Sequence, residues 1–120
     1  MAQPDMSEIE RGIMDLASED DYGLWELLWH RRSTNPTSSH DDQQLLLLGM
    51  DRLLDSGDVV LVRRAGPVGE TREMPIDLAK QVLRQGWPWR EPDAGQEQIL
   101  VRLTADGADR YFARSTRRDD

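Results

Sequence analysis

At 120 residues with 38% hydrophobic content, the chain is sized for one domain that buries about two-thirds of its extended-chain surface. It has no cysteine, which excludes disulfides, thiolate metal sites and thiol catalysis together. With 23 acidic against 15 basic residues the net charge is −8, a field that repels polyanions and opposes non-specific binding to phosphate backbones and membranes.

The polar opening Met1-Ala2-Gln3-Pro4-Asp5 lacks the basic and apolar segments of a secretion signal, and residues 1–5 are expected to be disordered. Ser7-Glu8-Ile9-Glu10 reads as a capping box. Ile9, Ile13, Leu16 and Ala17 follow at helical spacing, which predicts a short amphipathic helix to about Ala17. Ser18-Glu19-Asp20-Asp21 reads as a second start signal, for a helix running to about Arg32. Leu24, Leu27, Leu28 and Arg31 define one face of it. Trp25, Trp29 and Tyr22 widen the apolar arc to roughly 220° on a wheel of 3.6 residues per turn, as expected of a central helix packed on two sides.

Residues 33–38 are a loop by composition. A third helix is capped by Ser39 and stopped by Gly57. Its core face is Leu46, Leu47, Met50, Leu53 and Leu54, while Leu45 and Leu48 fall opposite, beside Asp41, Arg52 and Asp55. No apolar run is longer than the four residues of Leu45–Leu48, far short of the roughly 20 residues that span a bilayer. No membrane contact and a cytoplasmic location are therefore expected.

Strands are predicted at 59–63 and 99–103, pairing as antiparallel neighbours. The connection between them carries a helix from Pro75 to Gln85, stopped by Gly86. Trp87-Pro88-Trp89 follows. A short terminal helix is expected to reach Tyr111-Phe112, leaving a frayed tail over 114–120. No repeat and no second domain are evident, so residues 6–113 form a single α+β domain.

Leu53-Leu54-Asp55-Ser56-Gly57-Asp58-Val59-Val60-Leu61 resembles the end of a winged-helix third helix, which closes on L-x-x-G before a valine-rich wing strand. Leu103-Thr104-Ala105-Asp106-Gly107 is similar to the L-T-x-x-G that closes the wing in many bacterial regulators. The layout is also similar to small uncharacterised bacterial winged-helix-like proteins with a helical insertion in the wing. The resemblance implies three N-terminal helices, a two-stranded antiparallel wing with a helix-bearing insertion, and a short C-terminal helix. It brings no catalytic residue and no ligand. The chain departs from the DNA-binding pattern where His40-Asp41-Asp42 puts carboxylates at the start of the helix in the recognition position, since affinity for DNA rests on cations meeting phosphates.

Neither histidine has metal-ligand spacing, and the acidic pairs Asp20-Asp21 and Asp41-Asp42 open helices, where the dipole accounts for them. No serine sits in a nucleophile motif, and Gly66-Pro67-Val68-Gly69 has no phosphate-binding lysine. No cofactor, metal or catalysis is expected. Arg63, Arg64, Arg72 and Arg102 are candidate wing contacts to DNA, against their reading as charges that blunt a sheet edge. Trp87 and Trp89 are a candidate aromatic anchor, against their reading as a lid on the core. Leu45, Leu48, Arg52 and Asp55 are a candidate partner interface, in which Arg52 and Asp55 would pair across a twofold axis. The expected function is a protein-interaction or self-associating module with a protein partner or a second copy. A transcriptional regulator contacting DNA through the wing is the alternative, which the net charge disfavours.

Overall fold

The computed structural model describes residues 6–34, 39–65, 69–93 and 95–118. The disorder expected at residues 1–5 lies outside them, as do residues 35–38 of the expected 33–38 loop and residues 66–68 of the Gly66–Gly69 stretch. In chain order the elements are α1 (Met6–Ala17), β1 (Tyr22–Gly23), α2 (Leu24–Thr34), α3 (Ser39–Ser56), β2 (Val59–Ala65), β3 (Thr71–Glu73), α4 (Ile76–Leu83), a 3-10 turn (Trp87–Trp89), β4 (Glu97–Leu103) and α5 (Ala105–Arg118). No helix among them is long and apolar enough to cross a membrane.

The fold is α+β, and the expected two strands prove to be part of a four-stranded antiparallel sheet in the order β1-β4-β2-β3. The central pair runs in register from Val59↔Leu103 to Ala65↔Glu97. Side chains alternate across a strand, so Val59, Leu61, Ile99 and Val101 share the face that packs with the helices. Val62 and Leu100 lie on the opposite face, also buried. Register puts Arg64, Arg102 and Glu73 on that outer face. There the Arg102 guanidinium reaches from Asp21 (2.6 Å) to the Thr71 hydroxyl (3.1 Å).

The helical layer holds Ile9, Ile13, Leu24, Leu27, Met50, Leu54 and Leu83 in one core with the sheet. Leu28, expected in the core, is only partly buried against it. The broad apolar arc expected of α2 is also cut back, because Trp29 is 64% exposed. The second helix starts at Leu24, not at Ser18–Asp21. Asp20 instead accepts the Asp21 amide at 2.7 Å, and Tyr22-Gly23 extends to pair with Val101 and Leu100. Glu26 then reaches back to accept the Gly23 amide at 3.0 Å, one half of a capping box.

Two glycines fix how α3, the sheet and α5 join. Gly57 has φ +80°, and Asp58 N donates to Leu53 O (3.1 Å) while Gly57 N donates to Leu54 O (3.2 Å). These two bonds are the Schellman closure that releases the chain into β2. Thr104 caps α5 by accepting the Gly107 amide at 2.9 Å, and its hydroxyl donates to Gly57 O at 2.6 Å. A Cβ at Gly107 would stand 1.9 Å from Asp58 O, so only glycine lets α5 start this close to the α3–β2 junction. The backbone of α5 is helical to Arg118, past the expected end at Tyr111-Phe112 and through most of the segment expected to fray.

Candidate interaction surface

The four wing arginines do not form one patch. By register Arg63 and Arg72 lie on one face of the sheet, Arg64 and Arg102 on the other. Arg63 Nε donates to the Glu97 carboxylate. That hydrogen bond, reinforced by the charge of Glu97, pushes the Arg63 pKa up. Arg102 donates through Nε and Nη2 to both oxygens of Asp21, at 3.0 and 2.6 Å, and the same effect raises its pKa. Arg64 reaches Gln98 Oε1 at 3.4 Å, and Arg72 is exposed on the edge strand β3.

On α3, Leu45 is partly buried against the core, whereas Leu48 is 42% exposed. Arg52 is held by Glu10 of α1 at 3.0 Å, and Asp55 accepts Lys80 of α4 at 2.5 Å. The pair proposed to meet across a twofold axis is thus engaged within the chain, to two different helices. Beside it, Arg84 donates to Asp51 at 2.6 Å, a hydrogen bond that pushes the Arg84 pKa up.

The two tryptophans of the Trp-Pro-Trp element differ. Trp89 is 3% exposed and donates its indole N–H to Leu83 O at 2.9 Å. It belongs to the core, as the lid reading expects, and is not an aromatic anchor. Trp87 is partly buried, with its indole N–H on Gln85 Oε1 at 2.7 Å. With Trp25, Pro88, Pro92, Gln96 and Gln98 it lines a small depression. Arg90, Glu97 and Ile99 complete that depression. Trp29 follows Trp25 by one helical turn on the same side of α2. Sequence reasoning missed the depression because its walls come from α2, the 3-10 turn and the segment before β4.

Asp42 also differs from its sequence reading as a dipole-compensating acid. It is fully buried and accepts Arg31 Nε at 3.3 Å. Its Oδ1 and the partly buried Arg31 tie the end of α2 to the first turn of α3. His30 is exposed, and among the described residues no three His, Asp or Glu side chains gather as a metal site. Comparison of the chain with protein-family models, with curated proteins and with solved structures finds no match in any of the three.

Proposed function

We propose that the chain is a non-catalytic, winged-helix-like module that binds another protein. The architectural part of this reading is supported by the element order helix, strand, helix, helix, strand, strand, helix once β3 and α4 are treated as an insertion between β2 and β4. The sheet order β1-β4-β2, with β1 between the first two helices, is consistent with it.

The observation that carries the partner class is the state of the cations. Among the described residues, ion pairs join Arg31, Arg52, Arg63, Lys80, Arg84, Arg102 and Arg110 to carboxylates of the same chain. Each exposed pair adds little stability, yet a phosphate would have to displace a carboxylate that is already in place. The wing arginines also lie on two faces, so no single approach of a duplex meets all four. At a net charge of −8, the long-range field adds to the same effect.

The test is fluorescence anisotropy with random duplex DNA near physiological salt. No binding is expected up to protein concentrations of about 100 μM, the upper end of the ordinary non-specific range of about 1–100 μM. Micromolar binding that weakens steeply with salt and is lost in Arg63→Ala/Arg64→Ala would overturn the proposal in favour of a DNA-binding regulator.

A further inference from the structure

We propose that the open edge of β3 accepts an extended segment of a partner polypeptide as an added antiparallel strand, with a carboxylate opposite Arg72 and a cation opposite Glu70. The inference rests on the interaction-module reading and names its site and ligand chemistry.

The strand β3 ends the sheet order β1-β4-β2-β3, and among the described residues no strand lies beyond it. The Met74 amide donates to Leu61 O at 2.9 Å, and the register pairs Arg63 with Arg72. In an antiparallel ladder, hydrogen-bonded pairs alternate with non-bonded ones. Leu61–Met74 is a bonded pair, so Arg63–Arg72 is the next one, while Val62–Glu73 and Arg64–Thr71 are non-bonded. The amides and carbonyls of Thr71 and Glu73 therefore point away from β2, at the free edge. Such groups are satisfied by water or by another strand. An extended backbone is the ligand whose own donors and acceptors repeat at the matching spacing.

Shortness and charge keep an edge of this kind from pairing indiscriminately, and here the charges also set the sequence it accepts. Arg72 and Glu70 are both exposed, and alternation places them on the same face of the sheet. Among the described residues neither is in an ion pair. Arg63, the cross-strand neighbour of Arg72 on that face, is already bound to Glu97. Arg72 and Glu70 would meet the added strand in non-bonded pairs, where side chains come closest. On the other face Glu73 lies near Arg102, whose pKa it helps Asp21 to raise, so an uncharged residue suits the position opposite Glu73.

Every pair in the sheet is antiparallel, the more stable arrangement per residue. From its own N-terminus the segment is therefore Glu-x-Arg or Glu-x-Lys, with a β-branched residue at x to lie opposite Thr71. The chain's own Glu70-Thr71-Arg72 has that order. Two copies at −8 each repel one another, so a partner of net positive charge is favoured over a second molecule of this chain.

The test is an NMR titration of the backbone amides with the synthetic peptide Lys-Val-Glu-Thr-Arg-Val-Lys. In the free protein the Thr71 and Glu73 amides are expected to exchange with solvent faster than those of Arg72 and Met74. The peptide should move the Thr71 and Glu73 signals saturably below about 1 mM, and at saturation slow their exchange about tenfold or more. Replacing its threonine by proline removes the donor that faces Thr71 and should abolish the effect. Arg72→Glu, at an exposed position, should weaken the peptide about fivefold, and a peptide with lysine in place of its glutamate should recover the loss. The proposal is overturned if the two amides do not respond, if the proline peptide binds as well as its parent, or if Arg72→Glu leaves the affinity unchanged. It is also overturned if both amides become protected when the protein is concentrated alone, which would put a second copy on the edge. Failure here with no duplex binding ends the edge as a site and leaves the module reading standing. Duplex binding in the anisotropy assay ends that reading itself.

Discussion

Arg31 and Asp42 make the pairing with the largest consequence for stability. A fully buried carboxylate stripped of its cation costs about 3–5 kcal/mol. Because the Nε–Oδ1 contact is long, at 3.3 Å, the lower end is expected. Arg31→Met should therefore destabilise the protein by about 3 kcal/mol in urea unfolding, and Asp42→Asn, which leaves the largely buried Arg31 guanidinium without its counter-charge, should cost a similar amount. Gly107 makes a second prediction at this scale. The atom that a new Cβ would strike is backbone, the Asp58 carbonyl, which is itself held by the Thr104 amide at 3.0 Å. Neither can swing aside as a side chain would, so Gly107→Ala should cost about 3 kcal/mol or more, the upper end for overpacking. Sequence reading marked Gly107 as part of a motif, but the reason lies in an approach between residues 49 positions apart in the chain (107 − 58). Asp42 was misread for a similar reason: next to the chain start of a helix, a buried carboxylate and a solvated one look alike until the partner on another helix is known.

Among the elements, those long enough to show a period were legible. The third helix, the helix after Pro75 and the two seven-residue strands appear close to their expected positions. Tyr22-Gly23 and Thr71–Glu73 were not legible, because two or three residues show no alternation. Their extended form is imposed by the ladders of β4 and β2. The false start at Ser18–Asp21 has the same origin: Ser, Glu and Asp suit a turn as well as an N-terminus, and only pairing with Val101 decides between them. On α3 the contrast between faces is testable. Met50 and Leu54 are buried as expected, and Leu54→Ala should cost about 2–5 kcal/mol. Leu48→Glu, on the exposed side, should stay within about 0.5 kcal/mol of the parent protein. Thermal or urea unfolding of the two variants checks both. A large loss in Leu48→Glu would mean that the outer side of α3 is covered by another part of the chain.

For the whole molecule, the question is whether it pairs with itself. A specific interface needs about 800 Å² from each partner, with a desolvated apolar centre. The outer side of α3 offers Leu48 as its one strongly exposed leucine among the described residues. Leu45 is already packed inward, and the flanking ions are spent on Glu10 and Lys80. A twofold contact through this side would have to break both pairs to join Arg52 with Asp55, and would bring together two molecules of charge −8 each. The cost is greatest at low ionic strength, where repulsion is least screened. Sedimentation velocity is therefore expected to show a monomer at about 100 μM in low salt, with Leu48→Glu sedimenting identically, because one exposed leucine flanked by ions already paired within the chain lacks the desolvated apolar centre that holds a dimer. A wild-type dimer that Leu48→Glu converts to a folded monomer would locate self-association on α3. A dimer that survives Leu48→Glu but is lost in Trp29→Ala would move it to α2, where Trp29 is exposed.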